Sequence, residues 1–334
     1  MPDALKVFAE IGGFAVTASR AELADRIARL ADAGVAGVSL PDHLFYTVGG
    51  VTPGCDPMTV LGAIAGMDDR LELRTIVMNT AWIHPALLLR SFAQLAVLAG
   101  GERVTAGLGA GWSGDEFAAV GMAMPPFRER MDRLEEVLAL ARTLFDTGVA
   151  SVEGRHVVTR GLPLAPVPAV PPRLLVGGGS DRVLRMAGRY ADVIDLHGDP
   201  RHGRVVGASM AEEVRGDTRR RALTTVDELG ERIALVREAA SAAGRPPVEV
   251  STQILFAVYG TPAQVRAEEE RLCETWAKMP YRPLGRSPYL LTGGPAEMAE
   301  ALAERRALYG LSQLSLTEGV DPVRFCREVL PLLG

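Results

Sequence analysis

The sequence predicts a (β/α)8 barrel, an α/β fold with loop insertions at one mouth, and three observations predict it. Short apolar runs alternate with helical stretches along the whole chain, which implies a parallel sheet with helices outside. The alternation occurs eight times within 334 residues, and eight units favour a closed barrel over an open sheet. The long insertions follow the second, fourth, sixth and seventh apolar runs, as expected of loops capping the C-terminal mouth. No internal repeat or linker divides the chain, so residues 1–334 read as one domain.

Taken in order, residues 6–10 form the first strand. A helix over 19–33 follows, with Ser19 as N-cap and Glu22 three residues on in a capping box, ended by Gly34. The second strand is 35–40, followed by a long loop over 44–56 and a helix over 57–67. The third strand, 71–78, leads to a helix over 84–99 with Pro85 in its first turn. The fourth strand, 103–108, leads to a long helix over 127–146 with apolar residues at Met131, Leu134, Val137 and Leu138. Residues 152–158 suggest a small hairpin, and prolines then mark an extended excursion to residue 172. The fifth strand, 173–176, runs into a helix over 181–190, and the sixth is 192–196. Residues 197–223 are polar and rich in glycine and arginine, and read as a loop, a candidate lid. A helix over 225–243, a seventh strand over 248–258, helices over 261–279 and 295–309, an eighth strand over 311–316 and a last helix over 323–332 complete the chain.

Composition narrows the chemistry. Apolar residues make up 48% of the chain, enough for a sizeable core, and the net charge of −5 argues against nucleic acid or an anionic membrane as partner. Cys55, Cys273 and Cys326 make no CxxC and no disulfide framework. Without a signal peptide or an apolar run of spanning length, a cytoplasmic location is expected. Lysine occurs only at Lys6 and Lys278, neither at the C-terminal end of a strand, so a Schiff-base mechanism is not expected.

Four clusters could carry chemistry. Val176-Gly177-Gly178-Gly179 ends the fifth strand, and Ser180 opens a helix. Backbone N–H groups at such a junction can hold an anion, most often phosphate; the alternative is a plain glycine turn. Asp42 and His43 follow the second strand, where a histidine can serve as acid, base or anion donor, and where Asp42 could instead cap the turn. Ile76, Val77 and Asn79 leave the third strand; an apolar strand meeting its loop explains them as well, although Asn79 offers both a donor and an acceptor. Gly107, Gly109, Ala110, Gly111 and Trp112 leave the fourth strand, fitting either a flat ligand walled by the indole or close strand packing. The five histidines lack HxH and HExxH spacing; His43 and His197 alone, without an evident carboxylate, make a metal site unexpected. No GxSxG motif supports a serine hydrolase. The arginines from Arg215 to Arg221 read as a solvated face, or as an attractor for an acidic cofactor tail.

Several segments together resemble the luciferase-like monooxygenase family, in particular its branch that uses the deazaflavin coenzyme F420. They are Ser39-Leu-Pro-Asp-His43, Leu73-Arg-Thr-Ile-Val77 with Ile83-His84-Pro85-Ala86, Gly107-Leu-Gly-Ala-Gly-Trp-Ser113, Leu175-Val-Gly-Gly-Gly179 with Ala191-Asp192-Val193, and Ser287-Pro-Tyr-Leu-Leu-Thr-Gly293. The resemblance implies a cofactor ring across the barrel mouth and a non-prolyl cis peptide at Ile76–Val77 supporting it. It also implies a phosphate cradle at Gly177–Gly179, an Asp42–His43 pair near the ring with His43 as proton carrier, and a homodimer. It leaves FMN open as the alternative cofactor, with FMNH2-dependent monooxygenation or non-catalytic flavin binding as alternative functions. Trp112 stands where the sugar-phosphate dehydrogenase branch has a catalytic glutamate, so activity on glucose 6-phosphate is not expected; a small organic substrate is.

Overall fold

Eight short parallel strands close into a barrel in the computed structural model, which describes residues 4–47, 51–203 and 209–333. They are β1 (Lys6–Glu10), β2 (Gly37–Leu40), β3 (Glu72–Thr75), β4 (Val104–Gly109), β5 (Arg173–Gly178), β6 (Val193–Leu196), β7 (Glu249–Ile254) and β8 (Leu311–Leu316). Each pairs with the next, and β8 pairs with β1, so the (β/α)8 expectation is met.

Strand side chains alternate between two faces. Val7, Ala9, Val38, Leu40, Leu73, Leu174, Val176, Ile194, Leu314 and Leu316 belong to one apolar core with the surrounding helices. The opposite face lines the barrel interior and carries polar groups in layers. At the N-terminal end, Lys6 Nζ meets Glu72 at 2.6 Å, and Arg173 meets Glu249 at 2.6 Å. Above them Arg74 is fully buried, its guanidinium 3.5 Å from the centre of the Phe8 ring. It donates to Gln313 Oε1 at 2.8 Å and to Ser315 Oγ.

The outer helices start and stop on local chemistry. Ser19 and Glu22 form the expected capping box of Arg20–Asp32. Asp56 caps Pro57–Ala65, and proline occupies the first turn of both that helix and Pro85–Ala99. Gly148 and Gly310 end Phe127–Thr147 and Pro295–Tyr309 in the left-handed conformation.

Four expectations are corrected. Residues 197–223 are not a loop throughout: Pro200–His202 is a 3-10 turn and Met210–Leu223 a helix, with 204–208 outside the described residues. The helix escapes an apolar-periodicity search because two of its buried positions hold Glu213 and Arg221. Its arginines are not one solvated face either. Arg220 and Arg221 both bind Asp217 at 2.6 Å, and Arg221 is buried and also donates to Gln253. The third strand is broken after Thr75, and Met78–Asn79 then re-pairs with β4. The seventh strand ends at Ile254; Phe256–Tyr259 instead pairs in parallel with Leu290–Gly293, in a separate two-stranded sheet. Within the expected 44–56 loop, Phe45–Tyr46 pairs with Thr52–Pro53, and 48–50 lie outside the described residues.

Candidate active site

The loops after the strands bring His43, Ile76–Val77, Trp112 and the glycine junction to one mouth of the barrel. His43 follows β2 directly. Its Nδ1 is 3.0 Å from Glu116 Oε2, while Glu116 Oε1 accepts the Leu44 N–H at 2.6 Å. The Glu116 side chain is only 2% exposed, so both its oxygens are committed to the His43 loop. The His43 ring is packed against Tyr46, 4.7 Å between centroids, and against the edge of Trp112 at 5.3 Å. Anchored through Nδ1 and walled by two aromatics, the imidazole keeps Nε2 without a partner among the described residues.

Asp42 holds the other side of this loop. Its Oδ2 accepts the Asn79 N–H at 2.8 Å, tying the end of β2 to the segment beyond β3. Burial raises the Asp42 carboxyl above its ordinary range despite that bond. Between the two strands the Ile76–Val77 peptide is cis, at the bond the resemblance implies. Ile76 N donates to Leu40 O at 2.8 Å, and Asn79 turns its own Oδ1 to the Ala81 N–H at 2.9 Å.

The glycines after β4 make room for this segment. A Cβ on Gly107 would strike the Thr75 carbonyl, one on Gly109 the Val77 side chain, and one on Gly111 the Asn79 amide. Close packing therefore accounts for all three, and Ala110 packs partly buried on the core. What they secure is the position of Val77 at the mouth.

The β5 junction is different. Val176 is fully buried and faces the helices, so only its backbone reaches the mouth. A Cβ on Gly177 would make ordinary contacts, 3.4 Å to His197 Nε2 and 3.5 Å to Val77 Cγ1, so the glycine backbone lies bare beside those two side chains. Gly178 adopts φ 154°, and a Cβ on Gly179 would run into the carbonyls of His197 and Gly198. The N–H groups of Gly179, Asp181 and Arg182 have no backbone or side-chain acceptor among the described residues. Behind them Arg232 binds Gly179 O and Asp181 Oδ1, the latter at 2.8 Å. Unpaired N–H groups at the start of helix Asp181–Tyr190 are the kind of donors an anion site uses.

Sequence reading missed three groups. Glu116 was hidden because nothing in a sequence says that a charged residue is buried; the one clue was the Ser113–Glu116 spacing of a helix start, and Ser113 does cap helix Gly114–Ala119. Asp195 is the carboxylate that His197 was thought to lack, lying two residues before it and hence on the same face. Glu10 ends β1 half-buried at the mouth, and burial, followed by Glu318 and Asp195, raises it to about 7.

A luciferase-like monooxygenase family model matches residues 4–312. The F420-dependent glucose-6-phosphate dehydrogenase of Beutenbergia cavernae is 35% identical over 163 residues, 48% of this chain. The F420-dependent hydroxymycolic acid dehydrogenase of Mycobacterium tuberculosis is 39% identical over 109 residues, 33% of this chain. The chain spans about half the length of the former relative (47%) and 30% of the latter. An F420-dependent secondary alcohol dehydrogenase, solved in complex with an F420–acetone adduct, superposes with a TM-score of 0.73 at 17% identity, covering 99% of this chain and 100% of that one. At that identity the likeness is one of fold.

Proposed function

The chain belongs to the luciferase-like monooxygenase family, and from that premise we propose that it is an oxidoreductase using coenzyme F420. In this reading a hydride moves between the deazaflavin C5 and a small organic substrate, with His43 as acid/base. The observation that carries it is the His43–Glu116 pair, a histidine anchored at one nitrogen and free at the other, on the same mouth as the Gly177–Gly179 junction. The names of the curated relatives supply the choice of coenzyme.

The residues present fit such a group. Gly177 presents bare backbone beside Val77 and His197 for a flat ring to lie against, and the unpaired N–H groups from Gly179 onward suit the phosphate of its tail. When bound, the deazaflavin supplies a hydride acceptor or donor. The chain supplies the rest. With Nδ1–H donated to Glu116, His43 presents Nε2 as an acceptor. Nε2 takes the proton of a substrate hydroxyl as hydride leaves the same carbon, and returns it in the reverse direction. Glu116 stabilises the imidazolium so formed, as a buried carboxylate on the far nitrogen must. Trp112 and Tyr46 fix the plane of the imidazole. Glu116, four residues after Trp112, is bonded to His43 and the Leu44 N–H and is not free for substrate.

The test is a fluorescence titration of the purified protein with coenzyme F420 and with FMN, followed by turnover with candidate alcohols. Micromolar deazaflavin binding is expected, and His43→Ala should lower kcat by about 10²- to 10⁴-fold, the usual worth of an acid/base group, without changing cofactor affinity. FMN binding with no deazaflavin binding would replace this reading with an FMNH2-dependent monooxygenase. Turnover unaltered in His43→Ala would remove His43 from the chemistry.

A further inference from the structure

The first turn of helix Met210–Leu223 is fastened to the loops around His43 by contacts that the proposed chemistry does not use. Asp115 Oδ2 accepts the Met210 N–H at 3.0 Å and the Thr47 hydroxyl at 3.4 Å. Thr47 in turn donates its N–H to Met210 Sδ at 3.2 Å, and Met210 is fully buried. One carboxylate thus ties the helix start both to helix Gly114–Ala119 and to the residue after strand Phe45–Tyr46. An acid at that point also suits the positive end of the helix dipole. Both ends of the tie adjoin the groups that hold His43. Asp115 is next to Glu116, which bonds Nδ1, and Thr47 is next to Tyr46, which packs on the ring.

One turn into the helix, Glu213 is buried, and its Oε2 has no partner among the described residues. Two neighbouring elements bring charges to it. Arg130, on helix Phe127–Thr147, acts on it from a distance, while its guanidinium donates to Pro125 O at 3.0 Å and to Gly111 O. Asp115 adds a like charge. On Glu213's own helix, Asp217 is bound by Arg220 and Arg221, both at 2.6 Å. Burial therefore wins over Arg130 and raises the Glu213 carboxyl to about 7.

We propose that the first turn of helix Met210–Leu223 is a proton-dependent latch on the His43 loop. Seated, the turn encloses a protonated Glu213, and through Asp115 it holds Thr47, and so Tyr46, in place beside His43. An ionised Glu213 must reach water, and the turn then lifts from Asp115 and Thr47. The seated form binds the proton more tightly than the lifted form, in which the carboxyl returns to its ordinary 4.5. Seating is therefore most favoured below about pH 4.5 and is weakened as pH rises through about 7. No cofactor takes part in the latch, which depends on the reading above only for the role of His43.

Hydrogen–deuterium exchange of the ligand-free protein, resolved by peptide, tests the latch. Wild type and Glu213→Gln are compared at equal pH, so that the intrinsic exchange rate cancels. Near pH 8, peptides spanning 210–216 and 44–47 should exchange at least about tenfold faster in the wild type than in Glu213→Gln, and near pH 5 the difference should shrink to a few-fold. A difference spread evenly over the barrel strands, or one that does not change with pH, would overturn the proposal. Asp115→Ala cuts the tie and leaves Glu213 in place. Both segments should then lose protection together at both pH values, and loss in one segment alone would also overturn the proposal. Should Glu213→Gln not fold by circular dichroism, Asp115→Ala decides alone. Because no cofactor is added, failure of the coenzyme reading leaves these outcomes unaffected.

Discussion

At the scale of single residues, the site depends on where charge is buried. Glu116 and Asp195 each anchor one nitrogen of a histidine. His43 and the glycine triplet were legible in the sequence, because strand ends and glycine runs are local signals. Their carboxylate partners were not, because burial of an acid is decided by what packs over it. Glu116→Gln keeps the shape and one acceptor oxygen but removes the charge that stabilises the His43 imidazolium. Steady-state kinetics should show kcat down by roughly 10- to 100-fold, toward the lower end of what acid/base assistance contributes, with KM and cofactor affinity nearly unchanged. Loss of cofactor affinity instead would show that Glu116 shapes the pocket and does not tune His43. Gly177→Val probes the other half of the site. Its Cβ would make only ordinary contacts, and the two methyls beyond it would project toward the space assigned to the ring. Binding by fluorescence titration should weaken at least a hundredfold, and retained binding would place the ring elsewhere.

At the scale of elements, the strands and most helices were legible because apolar periodicity and caps agree with the final packing. Two elements were not. β3 is interrupted at Ile76–Val77, where the residues are as apolar as those of any buried strand. Helix Met210–Leu223 buries Glu213 one turn after the apolar Met210. Glu213 is 8% exposed, and one carboxyl oxygen has no partner. Burial raises it to about 7; Arg130 opposes this and Asp115 adds to it. The folded protein therefore binds more protons here than the unfolded chain between about pH 4.5 and 7. Stability must fall as pH rises through that window, with the penalty fully present above it. Glu213→Gln removes the titration. The variant should melt a few degrees higher than the wild type at pH 8 and no higher at pH 4.5, measured by thermal denaturation at both. A uniform difference at the two values would refute a titrating Glu213.

At the scale of the molecule, the barrel interior is a polar column linking the closed end to the mouth. Lys6 pairs with Glu72; Glu249 pairs with Arg173 and accepts Gln313 Nε2 at 2.6 Å; Gln313 accepts Arg74, which also reaches Ser315 and covers Phe8. Asp195, at the mouth, feels the charge of Arg74. The eightfold alternation was readable from the chain, but this column was not, because its members lie far apart in sequence and meet only when the barrel closes. Burial lowers the Arg74 guanidinium to about 10, so it remains charged at neutral pH. Arg74→Met would replace the cation with an apolar side chain of similar reach. Gln313 Oε1 and Ser315 would lose a donor, and Asp195, Glu72 and Glu10 would lose their shared counter-charge. Removing one member of such a buried network typically costs about 3–5 kcal/mol, which urea unfolding would read as a lower midpoint at unchanged slope. An unchanged midpoint would show that the polar column does not depend on the Arg74 cation.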